Sequence, residues 1–162
     1  MERSYFTTKD VDEIERFIGR KISSVTYYLW HNNANQDNGF EFLYALELKF
    51  EDKGELLISS GDTEENPKLC FNEIAIAEEQ LKLDQTFNGR LTINEFDASD
   101  ESPWNEVTGK VILRMEADLD AENKKFYGDF INLQTEQTVL RISIHPQGDG
   151  LNIELLEEDE NA

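Results

Sequence analysis

The stretch GFEFLYALELKFE, residues 39–51, sets the fold class. Phe40, Phe42, Tyr44, Leu46, Leu48 and Phe50 recur at every second position, with Glu41, Leu43, Ala45, Glu47, Lys49 and Glu51 between them. Side chains alternate across a strand with a period of two, whereas a helix brings together positions three and four apart. The run therefore predicts a half-buried strand with its aromatic positions on one face. Asp52-Lys53-Gly54 predicts a tight turn, with Gly54 suited to a positive φ, and residues 55–60 the returning strand.

Working outward, residues 21–31 are rich in β-branched and aromatic types and predict a preceding strand. Further strands are predicted at 68–76, 89–96, 109–118, 126–135, 138–145 and 150–156. In 109–118, Val111, Leu113, Met115 and Ala117 alternate with Ile112, Arg114, Glu116 and Asp118. Residues 77–88 read as a short helix or a loop, and 97–107 as an acidic loop with one helical turn begun by Ser102-Pro103. Ahead of all strands, 8–18 predicts an amphipathic helix. Thr8 is the candidate N-cap, Asp10, Asp12 and Glu13 suit the first turn, and Val11, Ile14, Phe17 and Ile18 form the apolar stripe. Gly19 supplies the stop.

The fold class is thus mainly β (α+β): an antiparallel meander sheet or barrel of about eight to nine strands with a short N-terminal helix. Its length of 162 residues fits one domain over 1–156, with the acidic residues 157–162 as a disordered tail. Two segments, 19–76 and 109–156, read as repeats of one four-stranded meander. Each opens with a glycine and a basic residue, Gly19-Arg20 and Gly109-Lys110, after a short helical element.

Charge constrains function more than any motif does. Fifteen basic residues face 35 acidic ones, for a net charge of −20. Phosphate backbones and anionic membrane surfaces need Lys and Arg, so nucleic-acid and membrane binding are disfavoured. A basic protein is the favoured partner, because a negative field raises its rate of encounter; the same charge also serves simply to keep a small protein soluble. The one cysteine, Cys70, cannot form an intramolecular disulfide, and Met1-Glu2-Arg3-Ser4-Tyr5 has no apolar signal region, so a cytoplasmic location is the expectation.

Chemical motifs are sparse. His31, His145 and Cys70 are the only imidazoles and thiol, and no nucleophile signature surrounds them. Zinc needs three or four such ligands in close array. The runs 97–101 and 118–123 alternate oxygen-bearing residues, but lack the Gly and Glu of an EF-hand loop. No phosphate-cradling glycine motif occurs. No catalytic, cofactor or metal residue is therefore nominated.

Ser102-Pro103-Trp104, Gly109-Lys110, Phe126-Tyr127-Gly128-Asp129 and the strand 139–144 resemble a pattern in small uncharacterised bacterial β-rich proteins, a domain of unknown function. The resemblance implies a bacterial accessory protein and brings no activity with it. The expectation is a non-enzymatic binding protein of immunity or accessory type that engages a basic protein. Its candidate contacts are Asp97, Asp100, Glu101, Asp118, Asp120 and Glu122 for steering, and Trp104 as an aromatic anchor. The alternative is a small-ligand-binding β-barrel with its cavity behind the Phe40–Phe50 face.

Overall fold

The computed structural model describes residues 4–32, 41–60, 68–72, 75–145 and 150–156. Among them are nine strands, two α-helices and one 3-10 turn. In chain order these are α1 (Thr8–Arg16), β1 (Ile22–Asn32), β2 (Glu41–Phe50), β3 (Glu55–Ser59), β4 (Cys70–Phe71), α2 (Ile76–Phe87) and β5 (Leu91–Asp97). The 3-10 turn (Trp104–Glu106), β6 (Arg114–Asp120), β7 (Lys125–Gln134), β8 (Val139–Ile144) and β9 (Leu151–Leu156) follow. The strands make two antiparallel sheets, ordered β4-β3-β2-β1-β5 and β6-β7-β8-β9. The sheets stay open rather than closing into a barrel. The predicted acidic tail lies outside the described residues.

One hydrophobic core draws side chains from both sheets and from α1. Its fully buried members include Ile22, Leu46, Leu48, Leu56, Ile58, Trp104, Ile112, Ile131, Leu133, Leu140 and Ile142. Helix α1 is capped one residue earlier than the sequence suggests. The Asp10 N–H donates to Thr7 Oγ1 (3.1 Å) and the Thr7 N–H donates to Asp10 Oδ2 (2.9 Å), a reciprocal capping box. Lys68 Nζ lies 2.7 Å from the same carboxylate oxygen, so the buried Asp10 is paired and α1 is tied to the segment entering β4.

Three strand expectations change. The aromatic run of β2 does not keep to one face. Tyr28 pairs with Ala45 and Leu29 with Leu43, so Tyr44 is the extra residue of a β-bulge. Leu43, Leu46, Leu48 and Phe50 accordingly face the main core, whereas Phe42, Tyr44 and Ala45 join Tyr28, Trp30 and Leu57 in a second cluster on the opposite face. The 109–118 strand also breaks its alternation: Ile112 and Met115 are buried, while Val111 and Leu113 are 39% and 49% exposed. The chain from Gly109 to Ile112 is pairing with the other half, and β6 proper begins at Arg114. Finally, the 68–76 strand shrinks to β4, and α2 follows with Ile76 packed on the second cluster.

The two halves repeat one construction. Where they cross, Gly19 N–H donates to the Ile112 carbonyl and Gly109 N–H to the Ile22 carbonyl, both at 2.7 Å. Ile22 N–H donates to the Lys110 carbonyl (3.0 Å) and Ile112 N–H to the Arg20 carbonyl (2.9 Å). Exchanging Gly19 with Gly109, and each following residue likewise, maps this set of bonds onto itself, with the Lys21–Val111 bridge at its centre. Both glycines have positive φ, +90° and +83°, which a side chain would oppose. The registers agree as well. Leu46 pairs with Ile58 and Leu48 with Leu56 in the first half; Ile131 pairs with Ile142 and Leu133 with Leu140 in the second. Ile58–Phe71 corresponds in the same way to Ile142–Ile153.

Candidate functional site

Register places an acidic field on the outer face of the first sheet. Thr26 lies between Glu47 of β2 and Asp97 of β5, and Tyr28 lies between Ala45 and Glu95. Glu47 pairs in turn with Leu57 of β3, and Lys49 with Glu55. Alternate residues of β2, β3 and β5 thus present Glu47, Glu55, Glu95 and Asp97 on one side of the sheet, around Tyr28 of β1. Lys49 brings a cation to that surface, its Nζ 3.7 Å from Glu47 Oε1.

The electrostatics follow from this crowding. Burial raises the Glu47 carboxyl above its ordinary range; the negative charge of Glu55 adds to the effect and Lys49 opposes it. The Tyr28 phenol is pushed up to about 12, first by burial and then by the charges of Glu47 and Glu95, with a hydrogen bond to Glu95 contributing. Like charges held together in this way repel one another, and Lys49 offsets part of that repulsion. Aromatic and aliphatic neighbours, Trp30, Tyr44 and Leu57, lie alongside on the same face.

Of the nominated residues, Asp97 belongs to this face, with its carboxyl held below the usual range by Ser99, whose N–H donates to Oδ1 at 3.0 Å. Asp100 and Glu101 are exposed in the loop that follows; burial foremost disfavours the ionised form of Tyr27, and the negative charge of Glu101 adds to it. Trp104 is corrected: it is wholly buried, and its indole N–H donates to the Tyr27 hydroxyl across an edge-on ring contact. It anchors the core and has no surface to offer a partner. Asp118, Asp120 and Glu122 lie apart, on the second sheet and the β6–β7 turn.

Asp120 serves the fold. It accepts from the Tyr5 hydroxyl (2.5 Å), the Tyr127 hydroxyl (3.2 Å), Asn123 Nδ2 (2.9 Å) and the turn N–H groups of Glu122 and Asn123. These bonds hold its carboxyl far below the usual range, that from Tyr5 foremost, and the same contact raises the Tyr5 phenol to about 12. Stacked Tyr5 and Tyr127 rings, 4.9 Å apart, complete a clamp of the N-terminal segment onto β7. Glu47, Glu55 and Glu95 were not singled out in the sequence. The one signal was Glu47 among the polar positions of 39–51.

Other chemistry finds little to build on. Cys70 is buried in β4, His31 lies in β1 and His145 follows β8. Among the described residues no three His, Cys, Asp or Glu side chains converge as a metal site. The Leu46, Leu48 and Phe50 face is packed core, not the lining that the small-ligand reading needs. Two surface hollows are notable. One of about 790 Å³ lies between Asn105, Lys110, Thr138 and Leu155, and one of about 350 Å³ lies between α1 and β6. No described helix is long and apolar enough to cross a membrane. The described residues form a two-sheet antiparallel β protein whose first sheet has an acidic outer face. Comparison with family models, curated proteins and solved structures finds no match to the chain.

Proposed function

We propose that this protein acts by binding, holding a basic partner protein against the outer face of its first sheet. The observation that carries the reading is the assembly of Glu47, Glu55, Glu95 and Asp97 from three strands onto one surface around Tyr28. A net charge of −20 steers a cationic protein toward the molecule, and the clustered carboxylates orient it on arrival. Asp100 and Glu101 extend the negative field beyond β5. Tyr28, Tyr44 and Leu57 are buried beneath this face, and the half-buried Trp30 and Ile93 supply the apolar contact area that salt bridges alone do not. In this reading the protein is a bacterial accessory or immunity-type protein of the cytoplasm, where its single thiol stays reduced.

Affinity capture from the source cell at low salt tests the proposal. The wild-type chain should retain a basic protein, and the triple variant Glu55→Lys, Glu95→Lys, Asp97→Lys should lose it by about tenfold or more. Reversing Asp118 and Glu122 instead should leave capture largely intact. Equal capture by the triple variant, or no basic protein retained by the wild type, would overturn the reading.

A further inference from the structure

The first sheet ends on a strand that is only half covered. Among the described residues β5 is an edge, and its pairing with β1 runs without a break from Thr26–Asp97 to Asn32–Leu91. Just past the strand, Ala98 N–H donates to the Val25 carbonyl (2.9 Å). Backbone groups of successive strand residues point to opposite sides, so Thr92, Asn94 and Phe96 also bond β1. The N–H and C=O groups of Leu91, Ile93, Glu95 and Asp97 therefore point outward.

Gln80 of α2 fills the first of these places. Its side-chain oxygen accepts from Ile93 N–H (2.7 Å), and its amide nitrogen donates to the Leu91 carbonyl (3.4 Å). One glutamine amide thus stands in for a neighbouring strand. Beyond it, from the Ile93 carbonyl to the Asp97 N–H, no described residue bonds the edge. Side chains along this length are sorted by face. Glu95 and Asp97 share the outer face with Tyr28 and Thr26. Phe96 lies on the other face, 42% exposed, its ring 6.4 Å from that of Tyr27. Both carboxylates bond neutral groups, Glu95 the Tyr28 hydroxyl and Asp97 the Ser99 N–H (3.0 Å), and neither is ion-paired to a described cation.

We infer that the basic partner docks by adding an extended segment antiparallel to β5, with cations opposite Glu95 and Asp97 and an apolar side chain beside Phe96. The inference deepens the function proposed above and rests on it for the sign of the partner's charge. An exposed edge is a template for another chain, and charges along it select which chain is accepted. A second copy is the poorer occupant, since antiparallel pairing of β5 with itself about Phe96 sets Glu95 against Asp97 on both sides. Lysine or arginine at those places meets a carboxylate each time. Antiparallel addition follows the rest of the molecule, in which every described strand pair is antiparallel. In that geometry the residues opposite Glu95 and Asp97 exchange both backbone bonds with them.

The probe is a fluorescein-labelled peptide of about seven residues in which lysine and valine alternate, titrated into the full chain. With lysines opposite Glu95 and Asp97, the lysine amides face β5 and the valine amides face solvent. N-methylation of the lysine amides should weaken binding by about tenfold or more, and N-methylation of the valine amides should leave it unchanged. Amide exchange should slow at Glu95 and Asp97 and stay as it was along β4, β6 and β9. On the protein, Glu95→Pro and Glu95→Gln remove the same charge, but only proline removes the outward N–H, a loss that an edge strand tolerates. Glu95→Pro should bind the peptide about tenfold more weakly than Glu95→Gln. The methylated peptides act on the unaltered chain, so they decide the matter even if the proline variant folds poorly. Equal binding by the two methylated peptides, or slowed exchange at a different edge, would overturn the assignment. Sedimentation showing self-association that Glu95→Pro abolishes would overturn it in favour of a second copy. Neither result bears on the outer-face reading, which stands or falls on capture of a whole basic protein by the wild type and its loss in the triple variant.

Discussion

Glu47 lies opposite Thr26 and Leu57 on a crowded acidic face, and its side chain is 14% exposed. Burial and Glu55 raise its carboxyl above the unfolded value of 4.5. The native state therefore holds this proton at pH values where the unfolded chain has released it. The contribution to stability is fully present below the unfolded pKa and is lost as pH rises through the native one. Glu47→Gln should be the more stable protein at pH 7, on the order of 0.5 kcal/mol for relief of like-charge crowding. The difference should shrink on acidification toward pH 4.5, as urea unfolding at the two pH values will report. A gain that grows with acid would show that the charge is not the cause. The sequence carried part of this site. Alternation put Glu47 on the polar side of its strand, but only long-range pairing brings it beside Glu55 and Asp97. Trp104 misleads for the complementary reason: it stands among acids in the chain, and the hydroxyl that satisfies its indole N–H belongs to Tyr27, far away in sequence.

At the scale of elements, the legible features were those written locally: the period of 39–51, the glycine stop after α1, and the polar turns between strands. The bulge at Tyr44 was not, because the register of β1 on β2 decides which residue is extra. Nor was the break in alternation between Val111 and Met115, which exists because Gly109 to Ile112 leave their own sheet to bond Gly19 to Ile22. The repeat was visible as a pair of glycine–basic openings and became a set of reciprocal bonds only in three dimensions. If the two crossings are equivalent, Gly19→Ala and Gly109→Ala should cost similar amounts. Each puts a Cβ on a residue at φ near +90° or +83°, a loss of about 1 kcal/mol. Urea midpoints of the two single variants measure this. A marked loss at one glycine and none at the other would show that the matched bonds do not carry matched strain.

At the scale of the whole molecule, two opposed tendencies share one charge distribution. A core that draws on both sheets favours the compact state, while a net charge of −20 repels itself as the chain closes. Aspartate and glutamate far outnumber the cations, and the described ion pairs are mostly exposed, so pairing relieves little of the repulsion. Added salt should therefore stabilise this protein. Raising sodium chloride from about 0.15 M to about 1 M shortens the screening length from roughly 8 Å to 3 Å, below the spacing of most surface charges. The melting temperature should rise by a few degrees, since each kcal/mol is worth roughly 2–4 °C in a chain of this size. Attraction to a basic partner should weaken over the same range, because the charges that repel one another in the free protein are those the partner neutralises. Calorimetry and binding measured in parallel along one salt series distinguish this from a general salting-in or salting-out effect. Stability and affinity that rise or fall together would mean the acidic surface is not the element that couples them.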